Sequence, residues 1–137
     1  MDKTIFIADD ELDFVSTLRS RLEFEGFGVT TAADGKEALQ RIMQEKPDLI
    51  LLDIMMPTMN GYQVCRELKG NADTSSIQIL MLTAKSQESD KFWGKEAGAD
   101  DYVTKPFDME ELMEKIGGLL DEWRCCGLST FLSGPSA

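Results

Sequence analysis

At 137 residues the chain has room for one domain with a single buried core, without disulfide or metal staples. Its 14 Lys and Arg stand against 25 Asp and Glu, a formal net charge of −11, so its surface repels phosphate backbones and anionic membranes. Histidine is absent, which excludes a histidine phosphocarrier, a Ser-His-Asp hydrolase and most zinc catalysts, and leaves carboxylates, Lys and Thr to carry any chemistry.

The chain opens without a basic-then-apolar leader, and Lys3 to Ala8 is a short apolar run with no helical period, read as a buried parallel strand that ends at Asp9-Asp10. Phe14, Val15, Leu18 and Leu22 follow at helical spacing, and Gly26 closes that helix. Gly28 to Ala32 is a second strand. Asp34 is the expected N-cap of a second helix carrying Ala38, Leu39, Ile42 and Met43, and Pro47 stops it. Leu49 to Ile54 is a third strand, interrupted by Asp53; Leu49 to Met56 is the longest apolar stretch and far too short to span a bilayer. Tyr62, Val64, Cys65 and Leu68 mark a third helix, Ile77 to Leu82 a fourth strand, and Phe92 to Ala97 a fourth helix. Tyr102 to Thr104 is a fifth strand, and Leu112 to Trp123 a fifth helix in which Gly117 and Gly118 each cost about 1 kcal/mol relative to alanine.

Five strands alternating with five helices predict an α/β sandwich on a parallel sheet with right-handed crossovers. Residues 1–123 are expected to form this domain. Ser, Gly and Pro without periodicity in residues 124–137 read as a tail or linker stub with no output domain. The three cysteines, Cys65, Cys125 and Cys126, show neither metal-ligand nor disulfide-framework spacing, which suits free thiols in a reducing, cytosolic compartment.

Ligands of such sheets sit outside the carboxyl ends of the strands, so the strand-end residues are the ones that carry function. Asp9 and Asp10 end the first strand, Asp53 the third and Thr83 the fourth, while Lys105-Pro106 follows the fifth. Three carboxylates converging there would repel one another unless a hard, oxygen-loving divalent cation joined them; Mg²⁺ fits, with Mn²⁺ as the alternative. An Asp carboxylate is a workable nucleophile toward activated phosphorus, with the metal and the Lys105 ammonium neutralising charge on the equatorial oxygens and Thr83 adding a hydroxyl. Proline restricts the residue before it to extended backbone, which would aim Lys105 at the crevice, through a cis bond. Each element alone has a plainer explanation: the acids of Asp9-Asp10-Glu11 could complement a helix dipole, and Thr83 could bond nearby backbone. Asp53 is harder to explain away, since an unpaired acid inside LILLDIMM costs several kcal/mol to bury.

Taken together, the acid pair, LILLDIMMPTMNG around Asp53, MLTAK around Thr83 and GADDYVTKPF ending at Phe107 resemble the response-regulator receiver family of two-component signalling, including the chemotaxis-regulator type. The resemblance runs from about Lys3 to about Trp123. It implies a flavodoxin-like (βα)5 sandwich with strand order 2-1-3-4-5. It also implies that Asp53 is the phosphoacceptor, that Asp9, Asp10, Asp53 and the backbone carbonyl of Met55 hold Mg²⁺, and that Lys105 and Thr83 bind phosphoryl oxygens. Thr83 and Tyr102 would form the switch, biasing the face made by the fourth helix, fifth strand and fifth helix. Without histidine the chain cannot be its own kinase, so the phosphoryl group would come from a histidine kinase, a histidine phosphotransfer protein or a small acyl phosphate. The domain would be a signalling switch that assists its own phosphorylation and dephosphorylation, with a downstream target protein the sequence does not identify. Met55 and Lys85 flank the expected path of a hydrolytic water, and neither can orient it as a carboxylate or amide would, which predicts slow loss of phosphate. Trp93, Asp101 and Lys115 fall on the expected output face; the last two are similar to charges through which transcription-factor receivers form homodimers.

Two other classes compete. An aspartyl-phosphate phosphatase or phosphomutase would place a second Asp where Met55 stands and would need room for a substrate cap. A receiver-like docking module that is never phosphorylated would not need the full acid, Thr and Lys set. Neither G-x-x-x-x-G-K-[ST] nor G-x-G-x-x-G follows the first strand, which excludes the common nucleotide loops.

Overall fold

In the computed structural model, residues 3–84, 98–105 and 108–120 are described. Five strands, β1 (Thr4–Ala8), β2 (Gly28–Ala32), β3 (Leu49–Asp53), β4 (Gln78–Ala84) and β5 (Asp101–Lys105), form one parallel sheet in the order β2-β1-β3-β4-β5. Three helices, α1 (Leu12–Phe24), α2 (Gly35–Glu45) and α3 (Gly61–Lys69), connect them, and a C-terminal helix spans Met109–Leu120. This is the doubly wound flavodoxin-like order that the alternation of strands and helices implies.

Alternation along the strands explains why both faces are covered. Ile5, Ile7, Leu49, Leu51, Leu80, Leu82 and Val103 pack with Val15, Leu18 and Leu22 of α1 and with Leu112, Met113 and Ile116 of the C-terminal helix. Phe6, Ala8, Ile50, Leu52, Ile79 and Met81 point the other way, onto Ala38 and Ile42 of α2 and Val64, Cys65 and Leu68 of α3. All five residues of β3 are buried, so this strand reads as an unbroken apolar run instead of an alternating one. A one-residue slip of β3 would exchange its two apolar faces and displace every partner, which fixes its register.

The helix ends follow their local chemistry. Asp34 caps α2 by accepting a hydrogen bond from the Glu37 amide at 2.8 Å. Asn60 and Gln63 form a reciprocal capping box at the start of α3. Gly26, at φ 101°, takes the left-handed turn after α1. The stop of α2 differs in detail from the expectation: Lys46 itself adopts the left-handed conformation, at φ 48°, one residue before Pro47.

Other departures are at boundaries. β4 runs two residues past Leu82, so Thr83 lies inside the strand, and Lys105 is the last residue of β5 instead of following it. Gly117 and Gly118 do not break the C-terminal helix, which continues through both, with Gly117 buried against the core. The expected fourth helix at Phe92 to Ala97, the Lys105-Pro106 bond and the tail at residues 124–137 lie outside the described residues.

Relief of the left-handed strain at exposed Lys46 is expected to stabilise the fold, because a Cβ in that region costs about 1–2 kcal/mol while glycine loses part of that gain to chain entropy. Lys46→Gly should raise the free energy of unfolding by about 0.5–1 kcal/mol, read from urea denaturation.

Candidate functional site

The register of the sheet assembles the site. Ala8 pairs with Leu52 and Asp53 with Leu82, so the residues following β1 and ending β3 lie side by side at the carboxyl edge. Between β1 and β3 the strand order changes direction, which opens a crevice there. One carboxylate oxygen from each of Asp9, Asp10 and Asp53 lies within 4.8 Å of the others. Asp9 is 1 % exposed and Asp53 8 %, while Asp10 faces solvent. Asp9 is held by the sheet and by the turn into α1: its amide donates to the Ala32 carbonyl at 3.1 Å, and its Oδ1 accepts from the Glu11 amide at 2.9 Å.

This donor set suits a hard divalent cation. Mg²⁺ binds through a few carboxylate oxygens and keeps several waters, and three oxygens within 4.8 Å of one another are near enough to share one such ion. The same acids without a cation would crowd negative charge into a half-buried cleft. The helix-dipole explanation of Asp9-Asp10-Glu11 is therefore incomplete: Glu11 occupies the N-cap of α1 without a side-chain capping bond, and Asp9 turns toward Asp53.

Thr83 lies beside Leu82, the partner of Asp53, and pairs with Thr104. Its Oγ1 is buried without a hydrogen-bond partner, as is the Tyr102 hydroxyl, the two such side-chain atoms among the described residues. A buried hydroxyl without a partner costs about 1–3 kcal/mol, so Thr83 is poised for an acceptor. By strand alternation Thr83 and Tyr102 share the sheet face of Met81, and Tyr102 packs on the α2–α3 core. Burial pushes the Tyr102 phenol above its usual range, with smaller contributions from Cys65 and Asp101.

Lys105 ends β5 level with Ala84, placing its backbone at the same edge. Lys85 and Trp93 lie outside the described residues. Met55, in the loop that follows β3, is 63 % exposed. Asp101 and Lys115, expected on an intermolecular face, pair with each other at 3.3 Å. A half-exposed pair of this kind is worth about 1 kcal/mol, so exchange for another partner costs little. Cys65 is buried behind the site, and desolvation pushes its thiol up to about 11.

Gly61, which no periodicity or charge pattern singles out, belongs to the site. Its amide donates to the Ile54 carbonyl at 2.9 Å, and a Cβ there would stand 2.5 Å from the Asp53 carbonyl oxygen and 2.9 Å from the Ile54 Cα. The N-terminus of α3 thus rests directly on the backbone of the central acid. The Asn-Gly pair before an amphipathic helix was the available signal.

The chain matches the family model for the response regulator receiver domain over residues 5–117. It is 47 % identical over 120 residues to the alkaline phosphatase synthesis transcriptional regulatory protein PhoP of Bacillus subtilis, covering 88 % of this chain and 49 % of that protein. The chain thus spans about half the length of that relative. Among solved structures, a CheY-like response regulator receiver domain protein from Methanospirillum hungatei superposes with a TM-score of 0.82 at 32 % identity, covering 90 % of this chain and 97 % of that one. The receiver domain of the sensor histidine kinase PA1611 from Pseudomonas aeruginosa, solved with a magnesium ion in its active site cleft, gives 0.81 at 27 % identity, covering 89 % and 100 %.

Two outcomes check the site geometry. Gly61→Ala should destabilise the fold by about 1–3 kcal/mol in urea unfolding, since the added methyl meets backbone that cannot swing aside. Gly28→Ala, whose methyl would rest at 3.4 Å against the Thr4 side chain, is the tolerated control. Cys65 should resist alkylation in the folded protein. Because its folded pKa lies above the unfolded value, its contribution to stability is complete below about pH 9 and is lost as pH rises toward about 11. Cys65→Ala should flatten part of that alkaline slope in denaturation measured between those limits.

Proposed function

This chain belongs to the response regulator receiver domain family of two-component signalling, and from that premise we propose that Asp53 is its phosphoacceptor, served by Asp9, Asp10, Thr83 and Lys105. The observation that carries the reading is the meeting of three carboxylate oxygens within 4.8 Å at the edge where Thr83 buries a hydroxyl without a partner.

Asp9, Asp10, Asp53 and the Met55 carbonyl would hold Mg²⁺, or Mn²⁺ with the same preference for oxygen. When bound, the metal supplies charge neutralisation for the carboxylates and the transferring phosphoryl group. The Asp53 carboxylate attacks phosphorus; its new O–P bond replaces the P–N bond of a phosphohistidine or the P–O bond of an acyl phosphate, whose imidazole or carboxylate leaves. Thr83 then donates its hydroxyl to a phosphoryl oxygen, and Lys105, at the end of β5, pairs with another. In this reading the domain assists its own phosphorylation without being a kinase, and receives the phosphoryl group from a histidine kinase or a histidine phosphotransfer protein.

Movement of Thr83 toward the phosphoryl group would change the space open to Tyr102 on the same face, and the face made by the fourth helix, β5 and the C-terminal helix, with Asp101 and Lys115, would report it to a target protein or to a second copy of the chain. The net charge of −11 supports a protein target over direct nucleic-acid contact by this domain. We place the receiver unit at residues 1–123, with residues 124–137 as a tail or linker stub, and assign it to the cytosol, where phosphodonor kinases face their regulators; among the described residues no helix is long and apolar enough to cross a membrane.

Incubation with Mg²⁺ and acetyl phosphate or phosphoramidate should add one phosphoryl group by intact mass. Asp53→Ala or a chelator should abolish the adduct, and Thr83→Ala should slow its formation by about tenfold. An adduct that survives Asp53→Ala sinks the assignment. Met55 and Lys85 cannot orient a hydrolytic water, so the phosphoprotein should decay over minutes to hours, and Met55→Asn should accelerate that decay by about tenfold, followed by the same mass measurement.

A further inference from the structure

The loop between β3 and α3 carries a strained turn at its apex. Thr58 sits at φ 67°, and the Met59 amide donates to the Pro57 carbonyl at 2.8 Å across it. That is the three-residue γ-turn with a positive central φ, a rare conformation and an adverse one for a β-branched side chain. Such strain persists only where the surroundings hold it.

Here the hold comes from α2. The Thr58 Oγ1 accepts from the Lys36 amide at 3.1 Å and donates to Asp34 Oδ1 at 3.2 Å, so one hydroxyl satisfies an amide of the helix N-terminus and joins the helix cap. The Gly35 amide donates to the Pro57 carbonyl at 3.0 Å. A Cβ at Gly35 would strike the Met59 backbone and side chain, so helix and loop approach as closely as glycine allows. At its two ends the loop is fixed by Asp53 in β3 and by the Gly61 amide on the Ile54 carbonyl. The Thr58 contacts therefore fix the middle of a segment that holds Met55.

We propose that Thr58, itself exposed and outside the acid crevice, is a positioning residue for the metal and phosphoryl site: it clamps the β3–α3 loop to α2 and holds the Met55 carbonyl and Asp53 in register. The inference rests on the reading of that site as a Mg²⁺-dependent phosphoacceptor. Its signature is a separation of stability from function, because glycine at this position removes strain and clamp together.

The test uses the full chain and three variants. Thr58→Gly should keep its unfolding midpoint within about 4 °C of the parent, yet exchange the Lys36 amide proton at least about tenfold faster and bind Mg²⁺ about fivefold more weakly by calorimetry. Phosphoryl uptake at subsaturating Mg²⁺ should fall in step. Thr58→Val, which keeps the branched shape and deletes the hydroxyl, should show the same loss of Mg²⁺ affinity. Thr58→Ser, which keeps the hydroxyl, should restore parental exchange and affinity. If the parent binds Mg²⁺ and both Thr58→Gly and Thr58→Val match it, the inference is overturned alone. If the parent binds no Mg²⁺, the reading of the site falls and takes this inference with it.

Discussion

Three carboxylates meet at the carboxyl ends of two adjacent strands whose apolar residues are buried on both faces, and everything else in the fold is arranged around that meeting. β1 and β3 are apolar on both faces, and each residue of β3 from Leu49 to Leu52 packs into one of two cores. Slipping either strand to separate Asp9 from Asp53 would drive apolar side chains out of those cores, each at about 1.5–3 kcal/mol. The sheet therefore holds the acids at a distance their charges disfavour, and a divalent cation or a Lys ammonium becomes a favoured occupant of the crevice.

Around that centre the supporting parts are backbone contacts more than side-chain pairs. Gly61 lets α3 rest on the carbonyl of Asp53, and Gly35 lets α2 press against the loop at Met59. Both glycines stand at the first residue of a helix whose cap residue precedes them, Asn60 and Asp34. The caps set where each helix begins, and the glycines set how near it comes. The exposed ion pairs, such as Arg19 with Glu23, add little to this arrangement.

The opposite side of the site is loosely bonded. Thr83 and Tyr102 carry hydroxyls buried without partners, and the Asp101–Lys115 pair at the β5 edge is half exposed and weak. Lys69 reaches from the end of α3 to the Ile77 carbonyl and to Asp100, and Asp100 in turn accepts from the Ile79 amide, so the entry to β5 is held firmly just before Tyr102. The entry to β5 is thus well bonded, and the hydroxyls at Thr83 and Tyr102 beyond it are not.

Much of this was legible in one dimension. Apolar runs without helical period, separated by amphipathic stretches, dictate a parallel α/β sheet because only burial on both faces accommodates such strands. An acid inside LILLDIMM signals a strand-end site because its burial is otherwise too costly. The same reasoning does not reach Thr58 or Gly61: a left-handed threonine and a close-approach glycine have no periodicity, and their meaning lies in atoms 20 and more residues distant along the chain, at Lys36, or across a turn, at Asp53. Nor could it foresee that Asp101 and Lys115 would pair with each other, since strand and helix must dock before either charge has a neighbour. The elements, their order and the residue types at the strand ends can be read in one dimension, because they depend on local periodicity and on the cost of burial. The distances among the acids, and the contacts that hold the loop after Asp53 to α2, arise from packing between elements that local chemistry does not encode.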